Sequence, residues 1–412
     1  MDMFTPDLLI LNAAQLVTPG KGWKLKVIKD GAVAVKGEKI AALGKTDDVL
    51  PLVKKTTGLT VIDAAGKVVC PGYVDPHTHL VYAGSRAEEF ALRLQGMPYM
   101  EIAKRGGGIN STVKATRKAS VEDLAGFARE RLARMLGWGT TTAEVKTGYG
   151  LSTSSEMKML QAIRLAADSQ PVELVPTFMG AHEVPPDYRE RHQDYVDLVV
   201  DKMIPAAAKT SLAEFCDVFT ETGVFSIEES RRILLKAKQM GMLPKVHADE
   251  ITPLGGAELA AEVGAVSADH LVYVSDSGIA AMKQTGVVPV LLPGTSFFLD
   301  SKYAPARKMI EHGLPVALAT DHNPGTCTIE GMPVIIGLAC LKLKMTPEEA
   351  LIAATLNAAK AIRRDKLVGT LEPGKQADIL ILKVPDYREI PYHFGTNPVD
   401  TVVKKGKVAL SS

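Results

Sequence analysis

The stretch VDPHTHLV, residues 74–81, sets His77 and His79 two positions apart at the end of a predicted strand. Side chains alternate along a strand, so both imidazoles leave the same face. Such a pair alone is as often structural as functional. Its meaning changes because other apolar runs end in similar residues: His247 in LPKVHADE, His270 in AVSADH and Asp321 in PVALATDHN. Further runs stand at TTAEVKTG, VELVPTFMGAH and VVPVLLPG. Helical periodicity falls between the runs at 121–136, 154–167, 227–240, 256–263 and 277–285. This alternation predicts an α/β chain whose residues 71–368 close into a TIM-type (β/α)8 barrel. The histidines and Asp321 then share the C-terminal rim, where such barrels carry their chemistry.

The flanks read differently. DLLILNAAQLVT, GAVAVKGEKIAALG and LTVIDAAGKVVC are short β-like runs separated by Gly, Lys and Asp turns, and ADILILKV and TVVKKGKVAL restore that texture near the other end. Residues 1–70 and 369–412 are therefore expected to form one small β-sandwich domain beside the barrel. With 412 residues, 46% of them hydrophobic, a large core is available. Lys plus Arg (48) nearly cancel Asp plus Glu (47), so no overall field recruits nucleic acid or an anionic membrane, and a small-molecule partner fits better. The opening MDMFTPDLLILNAAQ lacks a basic stretch before its apolar run, and no apolar run reaches the roughly 18 residues that span a bilayer. Cys70, Cys216, Cys327 and Cys340 are scattered without a CxxC pair, which points to a reducing, cytoplasmic setting.

His77, His79, His247 and Asp321 can supply four ligands to one divalent ion, Zn²⁺ or Fe²⁺, with a position left open. His270 is then a donor that orients water or polarises a carbonyl, and Glu250 a carboxyl able to shuttle a proton. The GGG run at 106–108 lacks the phosphate-loop pattern and reads as a mobile loop at the site.

The segment PGYVDPHTHLVYAGSRAEEFALRLQGMPYMEIAKRGGGINSTVKATRKAS resembles the metal-binding and substrate-loop region of the imidazolonepropionases, within the amidohydrolase superfamily. The likeness continues through EVKTGYGL, PTFMGAHEVP, KVHADE, SADHL, LLPGTSFFL and ATDHNPGT, and so covers nearly the whole chain. It implies metal binding by His77, His79, His247 and Asp321, and substrate contacts at Arg86, Tyr149, His182, Glu250, Asn323, Gly325 and Thr326. It also implies ring-opening hydrolysis of 4-imidazolone-5-propanoate to N-formimidoyl-L-glutamate in histidine breakdown, and a homodimer with no interface named. Arg86 suits the substrate's carboxylate arm, since a guanidinium offers a bidentate fork. In the expected mechanism Asp321 or Glu250 takes the water proton, His270 stabilises the oxyanion, and Glu250 or His182 protonates the departing nitrogen. His322 departs from the apolar residue expected beside the ligand aspartate. Lys146 raises the question of a carbamylated lysine bridging two metals, but its KTGYG context resembles a substrate loop, so one ion per chain is expected. The competing readings are a deaminase of an aminated heterocycle, whose substrates mostly lack a carboxylate arm, and a non-catalytic scaffold, which would be expected to lack a ligand.

Overall fold

The computed structural model describes residues 3–54, 56–97, 101 and 107–411. Eight parallel strands run in consecutive order around a barrel: β1 (Tyr73–Asp75), β2 (Thr140–Lys146), β3 (Glu173–Ala181), β4 (Phe215–Thr220), β5 (Leu243–Ala248), β6 (Ser267–His270), β7 (Val288–Leu291) and β8 (Ala317–Leu318). β1 and β8 join just beyond their ends. Asp321 N–H donates to His77 O (3.1 Å), and His79 N–H to His322 O (2.9 Å). Asp75 fastens the same seam by accepting from Thr320 N–H (3.1 Å) and Oγ1 (2.6 Å).

All seven residues of β2 are buried, as expected for a parallel strand covered on both faces. The outer helices show why they pack there. In Val121–Gly137 the buried positions Leu124, Ala128, Leu132 and Met135 recur every three or four residues, a stripe facing the sheet. Ser120 starts this helix and Ser226 starts Ile227–Gln239, each through a reciprocal capping box, with Asp123 and Glu229 reaching back. The five helical patterns read from sequence all appear, with ends shifted by at most one residue. β4 was missed: its FCDVFT run carries Asp217 in the middle of an apolar stretch.

Both chain ends contribute to the remaining sheets. A six-stranded sheet orders Lys407–Ser411, Val399–Lys404, Ile379–Leu382, Val68–Pro71, Gln15–Pro19 and Leu25–Ile28; its central antiparallel pair joins the two ends at Val69 and Ile381. A four-stranded sheet orders Lys39–Lys45, Gly31–Lys36, Leu8–Ala13 and Thr60–Asp63. Leu8, Ile10, Val33, Val69, Ile379 and Ile381 form a shared apolar core between them.

Gly139 ties this unit to the barrel. It adopts φ +90°, and a Cβ there would meet Leu380 Cδ1 at 2.8 Å and the Tyr73 ring at 3.0 Å, both side chains being fully buried. Gly139→Ala is expected to cost about 1–3 kcal/mol through overpacking and backbone strain. Gly137→Ala, where a Cβ meets nothing within 4 Å, should stay within about 0.5 kcal/mol of the parent. Thermal unfolding of the two variants checks this, and equal midpoints would contradict the close packing at Gly139.

Candidate metal centre and pocket

The rim ligands expected from sequence converge. His77 Nε2 lies 3.2 Å from His79 Nε2, and His79 Nε2 lies 3.4 Å from His247 Nε2. Asp321 Oδ1 stands 3.4 Å from His77 Nε2 and 3.7 Å from His79 Nε2. Ligands about 2.0–2.1 Å from an ion in a tetrahedral site are roughly 3.3 Å apart, so the three imidazoles are spaced to share one ion, with Asp321 beside two of them. Burial, followed by the charges of Lys146 and neighbouring histidines, holds His77 well below the ordinary imidazole range; burial and His182 do the same for His79. Both are therefore neutral, as ligands must be. Two bare imidazole lone pairs 3.2 Å apart repel unless a cation or proton lies between them.

Three of the four candidate ligands, His77, His247 and Asp321, are aimed by a buried acceptor or donor. His77 Nδ1 sits 2.6 Å from Asp269 Oδ2, which fixes its proton on Nδ1 and leaves Nε2 for a cation. Asp217 Oδ1 lies 3.1 Å from His247 Nδ1 and also accepts the His247 backbone N–H at 3.1 Å. Against the cost of burial, the Asp217 carboxylate raises His247 above the usual imidazole value. Thr295 Oγ1 donates to Asp321 Oδ2 at 2.5 Å. Asp321, raised to about 6 by burial despite that bond, and His270 both adopt left-handed backbone (φ +55° and +75°). Such strain costs roughly 1–3 kcal/mol per residue and accumulates at functional sites.

Beneath the ligands lies an ionic floor. Lys146 Nζ donates to Glu144 Oε1 and Asp217 Oδ2, each at 2.7 Å, and lies 3.5 Å from Asp269. Lys245 donates to Glu144 and to Pro76 O (3.0 Å). All five charged side chains are fully buried. Although burial alone would lower Lys146, Asp217, Glu144 and Asp269 raise it well above the ordinary lysine range. A bridging carbamate requires the neutral amine, so this floor argues against the two-metal arrangement.

None of Glu144, Asp217, Lys245, Asp269 or Thr295 was singled out from sequence. Two had a legible signal. Glu144 and Lys146, like Lys245 and His247, are charged or polar residues two apart in apolar strands, the period that points both into a barrel.

A cavity of about 460 Å³ opens above the cluster and includes His79, His182, Glu250, His270 and Asp321 together with Arg86, Tyr149, Asn323, Gly325 and Thr326. Every substrate-contact position expected from sequence is thus in its wall. Glu250 is pushed up to about 8, first by burial and then by Asp321, and its Oε1 lies 3.5 Å from His270 Nδ1. Burial and His247 hold His270 neutral. His182 stacks on His79 with ring centroids 4.8 Å apart, and its Nδ1 lies 3.0 Å from Gly148 O. A carbonyl can only accept, so the proton is on Nδ1 and Nε2 is bare; burial lowers this histidine to about 3. In this arrangement the Nε2 of His182 accepts rather than donates.

Two other pocket side chains have partners within the protein. The Asn323 amide is occupied within its own turn: Oδ1 accepts from Gly325 N–H and Thr326 N–H (both 2.8 Å), while Nδ2 donates to Asp321 O (2.7 Å). Asn323 thus shapes the loop. Arg86 spends its Nε and Nη2 on Glu89 (3.0 and 2.5 Å), so that edge of the fork is not available to a ligand. Gly106 of the glycine run lies outside the described residues; Gly108 N–H donates to Glu89 Oε2 at 2.8 Å, which makes it part of this anchor. His322 is buried, lowered to about 3 by burial and by Arg131, and packs 6.1 Å from the Tyr82 ring.

The amidohydrolase family's model matches residues 68–409, and the chain belongs to that family. The imidazolonepropionase of Alkaliphilus oremlandii (strain OhILAs) is 51% identical over 414 residues, covering 98% of both chains. That of Symbiobacterium thermophilum is 55% identical over 411 residues, covering 98% of this chain and 97% of its own. Within the family, the chain falls among the imidazolonepropionases. An adenosine deaminase from Xanthomonas campestris, solved with bound zinc, shares the fold at a TM-score of 0.72 and 19% identity, over 99% of this chain and 94% of its own.

Thr295→Val keeps the side chain's shape and removes the bond to Asp321. Titration against a competing chelator should show metal affinity reduced about 10-fold or more, the usual effect of losing such a supporting partner. Unchanged affinity would detach Thr295 from the centre.

Proposed function

We propose that this chain opens the ring of 4-imidazolone-5-propanoate by hydrolysis of its cyclic amide C–N bond, giving N-formimidoyl-L-glutamate. The observation that carries the reading is the clustering of three imidazoles, with Asp321 beside two of them, under a pocket lined by Arg86 and Arg93, in a chain 51–55% identical to imidazolonepropionases. His77, His79, His247 and Asp321 would hold one divalent ion per chain, Zn²⁺ or Fe²⁺, both of which accept imidazole and carboxylate. Such an ion supplies Lewis acidity and makes water a stronger acid.

The chain's own groups then divide the work. Glu250, poised at about 8, is available in both protonation states near neutrality. It accepts the proton of the attacking water and returns it to the departing ring nitrogen. Neutral His270, whose Nε2 has no hydrogen-bond partner among the described residues, offers a donor to the oxygen on which charge develops. His182 Nε2 and the buried Tyr149 hydroxyl orient the ring. Asp321 has its second oxygen fixed by Thr295, which leaves Glu250 as the proton carrier. The relatives' identity favours this hydrolysis over deamination, for which the likeness at 19% identity speaks only to fold. We place the enzyme in the cytoplasm, as its four cysteines are all thiols. Among the described residues, no helix is long and apolar enough to cross a membrane.

Freshly prepared 4-imidazolone-5-propanoate should be converted to a product heavier by one water, with activity lost on chelation and restored by metal. Folded, metal-loaded protein that gives no product would overturn the assignment. Glu250→Gln should retain its metal and lose about 10²–10⁴-fold in kcat; full turnover by this variant would remove Glu250 from proton transfer.

A further inference from the structure

We propose that Arg93 is a second specificity-determining residue, recognising the carboxylate arm of the substrate together with Arg86. The inference rests on the function proposed above. Arg86 precedes the helix Ala87–Leu94, and Arg93 lies seven residues further on, two turns along the same face. Gly325 is bracketed by the two. A Cβ on Gly325 would meet Arg86 Nη1 at 2.1 Å, while Gly325 O accepts from Arg93 Nη2 at 3.4 Å. Both guanidinium groups line the cavity over the ligand cluster.

Their states differ. Arg86 forms a bidentate pair with Glu89, whereas Arg93 has no ion pair among the described residues. Among the described residues its Nε is buried without a hydrogen-bond partner, and its Nη2 has only the long bond to Gly325 O. Phe90 and Phe298, whose rings are 5.2 Å apart, lie 5.9 and 5.5 Å from the Arg93 guanidinium and hold its plane in place. A buried guanidinium edge without an anion leaves donors unsatisfied, and a carboxylate supplies the matching pair of acceptors. Glu89 pairs with Arg86, which leaves the Arg93 guanidinium beside Gly325 for a monoanionic arm.

The test uses the metal-loaded full chain and two non-hydrolysable probes, imidazole-4-propionate and its uncharged propionamide, with affinities measured by calorimetry. The parent should prefer the propionate. Arg93→Gln should weaken propionate binding by about 10- to 100-fold, the range for hydrogen bonds to a charged group, and leave the propionamide nearly unchanged. In turnover it should raise KM more than it lowers kcat. Arg93→Lys, which keeps the charge but not the fork, should fall between, and unchanged melting temperatures exclude misfolding. Equal losses for both probes, or none, in a variant of an active parent would overturn the role of Arg93 alone. A parent without turnover that binds neither probe would overturn the proposed function, and this inference with it.

Discussion

Lys146 reaches Glu144 and Asp217 inside the barrel, where none of the three is exposed to water. Lys245, Asp269 and Pro76 O complete the network. Removing one partner of a buried ion pair costs about 3–5 kcal/mol because a charge is left uncompensated. Each member therefore constrains the others, and the constraint is passed upward by direct bonds. Asp269 holds His77 and Asp217 holds His247, so two of the four ligand side chains are oriented from below. The floor has two ammonium groups against three carboxylates, and two of those carboxylates, Asp269 and Asp217, lie against His77 and His247.

Barrel closure supplies the other half of the centre. The backbone bonds that join β1 to β8 run between residues 77–79 and 321–322, so the polypeptide segments that complete the barrel are those that carry three of the ligands. Asp75 and Thr320 secure this seam. The left-handed backbone of Asp321 and His270 is sustained by that surrounding structure and directs side chains inward that a regular strand end would not. Fold and site are thus consequences of the same contacts.

Much of this was legible in the sequence because the signals were periodic or terminal. Apolar runs alternating with 3.6-residue patterns gave the barrel, and polar residues at the ends of those runs gave His77, His79, His247, His270 and Asp321. β4 was hidden because Asp217 interrupts its apolar pattern, although that residue is buried and paired. The roles of Asn323, Arg86 and His182 could not be read from residue type: they depend on bonds to Thr326, Glu89 and Gly148, which only the folded chain brings into place. Arg93 falls in this group as well, since its contact with Gly325 crosses 232 positions of sequence.

Crystals of metal-loaded protein, with diffraction recorded on both sides of the metal's absorption edge, would locate every bound ion by its anomalous signal. One peak per chain is expected, about 2.0–2.2 Å from His77 Nε2, His79 Nε2, His247 Nε2 and Asp321 Oδ1, with Lys146 unmodified and paired to Glu144 and Asp217. Two peaks joined through a carbamylated Lys146, or a single peak outside this cluster, would contradict it.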